Sequence, residues 1–200
     1  MILRPDSPPR IIALEGIDGA GKTSCRDLIV KQLRSEGHDI GGAGEFMSPI
    51  GSWLSTALRD LSFLEKVLYF AADRASALRD ATASGAALVI WDRYVLSAFA
   101  YRLAELDRLG RMAEREECFS FIATVNGFFP SPVLTVWLQL SPEIALDRKP
   151  GGLEVLRTVH QAYNDLFEAL ESPWVSVDAS GSLVTVAGAV AKIVREELGE

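Results

Sequence analysis

The stretch that most constrains the fold is residues 11–24, IIALEGIDGAGKTS. Ile11, Ile12, Ala13 and Leu14 form an apolar run that reads as a buried parallel strand. The run feeds a glycine-rich turn, Gly16-Ile17-Asp18-Gly19-Ala20-Gly21-Lys22-Thr23, after which Leu28, Ile29 and Leu33 share one face of a helix. The turn fits G-x-x-x-x-G-K-[ST], with a strand before it and a helix after it, the context in which this pattern cradles phosphates. Its backbone N–H groups converge on an anion, and the helix N-terminus adds partial positive charge. Lys22 is expected to reach the β- and γ-phosphates of a nucleoside triphosphate, and the Thr23 hydroxyl to sit on Mg²⁺. A mere glycine turn closing a βα unit would not need the lysine, the threonine and both flanks together.

At 200 residues the chain is expected to form one domain over 10–200, preceded by a flexible arm over 1–9 that holds Pro5, Pro8 and Pro9. Such a length buries a core without staples. Cys25 and Cys118 have no metal-ligand spacing; Cys25 reads as a packed thiol, and a reducing cytoplasmic setting fits. The net charge of −7 argues against broad nucleic-acid binding, which needs a basic surface, yet a local basic cluster can still hold a small anion. No stretch is long and apolar enough to span a membrane, and the first residues lack the apolar core of a signal peptide.

Strands are expected at 10–15, 39–43, 86–91, 133–140 and 174–178, with Gly41, Gly42 and Gly44 weakening the second. Helices are expected at 22–36, 50–60, 62–84, 95–109, 111–127, briefly from Pro142, then at 153–171 and 182–198. Strands separated by helices imply an α/β fold, a three-layer α/β/α sandwich around a five-stranded parallel sheet. Ligands bind such sheets at the carboxyl ends of the strands, which gathers Gly16–Thr23, Glu45, Asp92-Arg93 and Asp178 around one crevice.

Two further stretches carry chemistry. The apolar strand ending at Trp91 delivers Asp92 and Arg93 to the mouth of that crevice. An aspartate there can hold Mg²⁺-bound water or accept a hydroxyl proton, and an arginine can clamp a phosphate through two N–H donors. The alternative, a surface ion pair at a strand end, loses ground beside a phosphate-binding loop. Phe70 and Arg74 lie at i and i+4 on a helix, a pairing that can seat a planar base. A core aromatic beside a snorkelling arginine has the same spacing, and spacing alone does not separate the two.

Four segments, in order, resemble the thymidylate kinase family: Leu14 to Thr23; Tyr69-Phe70-Ala71-Ala72-Asp73-Arg74; Asp92 to Tyr101 (DRYVLSAFAY); and Trp137 to Arg148 (WLQLSPEIALDR). Val177-Asp178-Ala179-Ser180 is a weaker fifth. The resemblance covers most of the chain and implies a P-loop kinase that moves the γ-phosphoryl group of ATP, with Mg²⁺, to a nucleoside monophosphate, by default dTMP. It implies that Gly16, Asp18, Gly19, Ala20, Gly21, Lys22, Thr23 and Ser24 surround the ATP phosphates, with Thr23 and Asp92 serving the metal. Arg148, Asp178 and Ala179 would flank the adenine, and Lys22, Asp92, Arg93 and Arg148 would carry catalysis. On the acceptor side, Asp18 would bond the sugar 3′-hydroxyl, Phe70 stack on the pyrimidine and Arg74 read its exocyclic oxygen. Arg93 would hold the acceptor phosphate and Tyr101 pack at the 2′ position, with Phe46, Ser97 and Arg102 completing the pocket. The resemblance also implies a homodimer, a cytoplasmic location and a small nucleotide as partner rather than nucleic acid or a membrane.

The chain departs from the family pattern in three ways. Phe46 lies near where an arginine for the acceptor phosphate is expected. Arg102 and Ala98 stand where small polar or amide side chains are common. The lid, residues 148–153, is short: Arg148-Lys149-Pro150-Gly151-Gly152 leads almost directly into a helix, leaving Arg148, Lys149 and Arg157 as its cations. These departures keep open a kinase of the same fold for another small acceptor. A nucleotide-binding protein of low turnover is a third reading, against which Lys22, Thr23, Asp92 and Arg93 argue. A GTPase is disfavoured because Ile90-Trp91-Asp92-Arg93 lacks D-x-x-G.

Overall fold

The computed structural model describes residues 8–200, so most of the expected N-terminal arm lies outside the described residues. Five strands, β1 (Arg10–Glu15), β2 (Ile40–Gly44), β3 (Leu88–Asp92), β4 (Leu134–Gln139) and β5 (Trp174–Asp178), pair in the order β2-β3-β1-β4-β5, all parallel. The helices are α1 (Lys22–Ser35), α2 (Pro49–Ala57), α3 (Phe63–Ala83), α4 (Val95–Arg108), α5 (Arg115–Asn126), α6 (Pro142–Arg148), α7 (Leu153–Glu168) and α8 (Leu183–Leu198). This is the expected three-layer α/β/α sandwich of the P-loop NTPases, with β1 at the centre of the sheet.

Alternation along β1 builds both faces of the core. Ile12 and Leu14 join Ile90, Val136 and Leu138 in the larger cluster, which takes in Ile29 and Leu33 of α1 and Val190 and Val194 of α8. Ile11 and Ala13 join Val89 and Trp91 against Ala77, Leu78 and Ala81 of α3. Cys25 is buried as expected, and burial pushes its thiol up to about 12. Ser48, Ser62, Ser141 and Ser182 cap α2, α3, α6 and α8, with Pro49 and Pro142 in the first turns and a capping box at Ser62 and Glu65.

Three boundaries differ from expectation. Residues 111–127 divide into a 3₁₀ turn, Met112–Glu114, and α5, with Arg111 and Glu114 paired across the turn. Helix α7 stops at Glu168 rather than 171, with Ala169 as its C-cap. Strand β3 begins at Leu88 and runs on to Asp92, whose neighbours are Leu14 of β1 and Gly44 of β2. The glycines of β2 do not abolish the strand. At Gly44 a Cβ would lie 2.8 Å from Arg26 Nη1 and 2.9 Å from the Asp92 carbonyl, so the close approach leaves no room for a side chain. No helix among the described residues is long and apolar enough to cross a membrane.

Candidate active site

The carboxyl ends of β1, β2 and β3 open onto a cavity of about 650 Å³, closed on the far side by Arg148, Lys149 and the turn after β5. Gly19 to Ser24 line it. Gly19 adopts φ +85° with the Ala145 carbonyl 2.6 Å from where a Cβ would stand, so the loop is wedged against α6. Lys22 Nζ donates to the Gly16 and Ile17 carbonyls at 2.8 and 2.7 Å, folded over its own loop. Burial, then the charge of Arg93, lowers Lys22 to about 7, against the pull of Asp92, Asp18 and Glu15.

The Thr23 hydroxyl donates to Asp92 Oδ2, while Asp92 Oδ1 is buried without a partner. A threonine hydroxyl beside a half-satisfied carboxylate is an oxygen donor set suited to a hydrated Mg²⁺. Among the described residues, the other buried side-chain polar atoms lacking a partner are Arg74 Nε and Tyr101 Oη. All three belong to residues in or beside the crevice. Unsatisfied buried polar atoms are uncommon in folded proteins, and their clustering marks a place for a polar ligand.

Arg93 is the hub of the charged cluster on one wall of the cavity. It sits at φ 62°, in the left-handed region, at the turn between β3 and α4. Its Nη2 donates to Asp18 at 2.7 Å, its guanidinium lies 4.7 Å over the Tyr101 ring, and Glu45 stands 3.8 Å away. Burial opposes its charge, but Tyr101, Asp18 and Glu45 hold its pKa well above the ordinary value. Lys149 of the lid reaches the same Asp18 oxygen at 3.0 Å. Burial alone would raise Asp18; Arg93, Lys22 and Lys149 outweigh it and bring the carboxyl to about 2. Glu45 behaves oppositely: burial raises it to about 7 although Arg93 and Arg74 pull it down.

Phe46 lines the cavity, also at φ 62°, with its ring edge-on to Phe70 at 5.6 Å between centroids. Its backbone N–H donates to Asp73, which also receives the Ser48 hydroxyl, so α3 holds this strained turn. Arg74 donates to Asn126 and to the Tyr94 carbonyl and lies 3.9 Å from Glu45. Phe70 and Arg74 do not line the cavity but stand directly behind Phe46 and Glu45, which do, with Arg74 buried among polar partners.

Of the other expected site residues, Ser97, Tyr101, Arg102 and Asp178 do not line the cavity, whereas Arg148 and Ala179 do. Ser97 turns inward, its hydroxyl donating to Glu15 and meeting Tyr163 Oη at 2.8 Å, because α4 has no side-chain cap of its own and Glu15 draws its first turn inward. Arg102 pairs with Glu105 and stacks 5.9 Å from the Phe63 ring, and it does not line the cavity. Arg148 lines the cavity with its guanidinium engaged by the carbonyls of Ala179, Ser180 and Gly181 at 2.7–3.1 Å, which sets it beside the turn after β5 that it was expected to share. Asp178 accepts from the Ser180 N–H and shapes that turn, while Ala179 reaches the cavity.

Sequence reasoning passed over Glu15, Asp73 and Arg26. Glu15 is fully buried at the end of β1. It accepts from the Tyr94 and Ser97 N–H groups and from the Ser97 and Tyr163 hydroxyls. Its signal was a lone charge closing an apolar strand. Asp73 lay inside a segment that carries the resemblance but was given no role, and Arg26 carried no signal, being a polar residue at an unremarkable helix position.

This fold and loop are matched by a family model for thymidylate kinase over residues 14–190. The chain belongs to the thymidylate kinase family. A thymidylate kinase of Synechococcus sp. (strain JA-3-3Ab) is 32% identical over 204 residues, covering 94% of this chain and 96% of the relative. A probable thymidylate kinase of Archaeoglobus fulgidus is 33% identical over 201 residues, covering 94% and 96%. A thymidylate kinase of Verminephrobacter eiseniae is 31% identical over 201 residues, covering 86% and 85%. Membership makes the chain a nucleoside monophosphate kinase and disfavours a low-turnover binding protein or an unrelated acceptor.

Proposed function

We propose that residues 10–200 act as one kinase domain that transfers the γ-phosphoryl group of ATP to dTMP, giving dTDP and ADP. The observation that carries this reading is the Arg93–Asp18–Lys149 cluster, which spans from the phosphate loop to the acceptor side. An oxygen of the acceptor phosphate attacks the γ-phosphorus, the bond to the β–γ bridging oxygen breaks, and ADP leaves with its electron pair.

Lys22 leaves the Gly16 and Ile17 carbonyls for the ATP phosphates and regains its proton there. Arg93 holds the acceptor phosphate, and Asp18 orients Arg93 and accepts the sugar hydroxyl. Phe70 stacks on the base, and the free Nε of Arg74 meets its exocyclic oxygen. The free hydroxyl of Tyr101 lies at the sugar edge. Thr23 and Asp92 would hold Mg²⁺, which supplies charge neutralisation along the phosphates when bound. Lys149 is the lid cation best placed to approach the transferring group, since Arg148 is engaged elsewhere. Catalysis is then positioning and electrostatic stabilisation. Exposed Leu64 and Leu68 on α3 and Phe119 on α5 suit a homodimer, which light scattering would test.

The test incubates the protein with Mg-ATP and, separately, dTMP, dUMP, other monophosphates and thymidine. Products are followed by mass spectrometry, with ADP release measured without acceptor. dTDP as the dominant product supports the reading; ADP release with no phosphorylated acceptor refutes it.

A further inference from the structure

Given a monophosphate acceptor, as proposed above, we infer that Arg26 of α1 is a second cation for its phosphate and sets the preference for a phosphorylated acceptor. Arg26 lies one turn after Lys22 and is buried, yet it lines the active-site cavity. Its Nη1 donates to the Ala43 carbonyl at 3.1 Å and toward the Met47 thioether at 3.1 Å. Its Nε and Nη2 meet one oxygen of Asp27 at 2.8 and 2.7 Å.

The Met47 contact is the informative one. A thioether is a weak acceptor, and a nearly buried guanidinium is a strong, permanently charged donor. Met47 is 55% exposed, so its sulfur can swing away at little cost. A phosphate oxygen arriving beside Asp92 and Arg93 would replace a weak partner with a charge-assisted bond.

Gly44 supplies the second observation. A side chain there would begin 2.8 Å from Arg26 Nη1 and against the Asp92 carbonyl. No side chain fits at the last residue of β2, the guanidinium of α1 occupies that space, and Phe46 just beyond it brings no charge. The remaining cations of the crevice already have work: Arg93 and Lys149 on Asp18, Arg148 on the carbonyls after β5, Lys22 on the phosphate loop. A purely structural strut between α1 and β2 accounts for the bonds to Ala43 and Asp27. It does not account for a donor turned onto sulfur at the cavity wall.

The experiment measures calorimetric affinities of the wild type, Arg26→Gln and Arg26→Lys for dTMP, thymidine and ATP, with thermal melting to confirm folding. Arg26→Gln should weaken dTMP about ten- to hundred-fold and leave thymidine and ATP within about twofold. Arg26→Lys, which keeps the charge but not the fork, should fall between. Equal losses for dTMP and thymidine, unchanged dTMP binding, or a loss confined to ATP would each overturn the assignment. A wild type that binds thymidine as tightly as dTMP would overturn the acceptor reading itself, whatever the variants do.

Discussion

Replacing Glu15 by glutamine tests how the phosphate loop is tied to the acceptor side. One carboxylate oxygen accepts the Tyr94 and Ser97 N–H groups at 2.9 and 3.2 Å; the other accepts the Ser97 hydroxyl and the Tyr163 hydroxyl, the latter at 2.9 Å. The two amides cannot reverse, so glutamine must turn its carbonyl to them and its NH₂ to the hydroxyls, which can rotate to accept. Four bonds survive in number but lose their charge, at about 1 kcal/mol each. The desolvation of a carboxylate, which glutamine avoids, offsets part of this and leaves a net loss of about 2 kcal/mol. For a chain of this size that is about 4–8 °C in Tm. Alanine should cost about 4 kcal/mol or more, because two N–H groups at the start of α4 are then buried unpaired beside a cavity. Urea unfolding gives the free energies, and kcat/KM for the acceptor gives the functional arm. Tyr94 adjoins Arg93, so kcat/KM should fall at least about tenfold with Glu15→Gln. Ser97→Ala shares the network and should be non-additive with Glu15→Gln by about 0.5 kcal/mol or more. A Glu15→Gln protein within about 0.5 kcal/mol of wild type, additive with Ser97→Ala, would refute the network's role.

Lys22 stands at about 7 in the ligand-free protein against 10.5 unfolded, so its burial weakens the fold fully below pH 7, and that penalty fades as pH rises toward 10.5. Bound phosphates restore its charge; ATP binding at pH 8 should therefore take up close to one proton, read from calorimetry in buffers of different ionisation enthalpy, and Lys22→Met should abolish the uptake. Glu45, raised to about 7, is neutral below that pH and repels an acceptor phosphate above it. The KM for the acceptor should thus climb from pH 7 to 8, and a Glu45→Gln profile that climbs equally would show that another group is responsible. Gly44→Ala forces a methyl against Arg26 and the Asp92 carbonyl and should destabilise by about 1–3 kcal/mol in urea titration, with weaker acceptor binding.

Much of the site was legible because its chemistry is local. The phosphate loop needs its glycines, lysine and threonine within eight consecutive positions, between a strand and a helix, and a linear reading captures that. The carboxyl-end rule for parallel sheets then brought Asp18, Glu45, Asp92, Arg93 and Asp178 to one crevice, where the first four line the cavity and Asp178 instead holds the Ser180 N–H. The directions of Ser97 and Arg102 were not legible, because resemblance transfers a position and not a direction. Both lie on α4, and their directions depend on partners elsewhere: Glu15 on β1 and Tyr163 on α7 for Ser97, Glu105 one turn away for Arg102. Arg148 was read as catalytic from its place in a motif, yet three carbonyls after β5 compete for its donors.

The sequence by itself determined the layered fold and the phosphate loop, since these follow from periodicity and short-range spacing along the chain, and its resemblance to known sequences pointed to the kinase family. Tertiary structure alone decided which charges meet. Glu15 caps a helix that begins 80 residues later, Lys149 closes on Asp18 across 131 positions, and Arg26 fills the space left by a glycine on a neighbouring strand. Such pairings depend on where side chains end in space, and burial gives them their strength by removing the water that would otherwise screen them. Neither distance nor burial is written in the order of residues, so the electrostatics of the crevice became readable only once the sheet had been assembled.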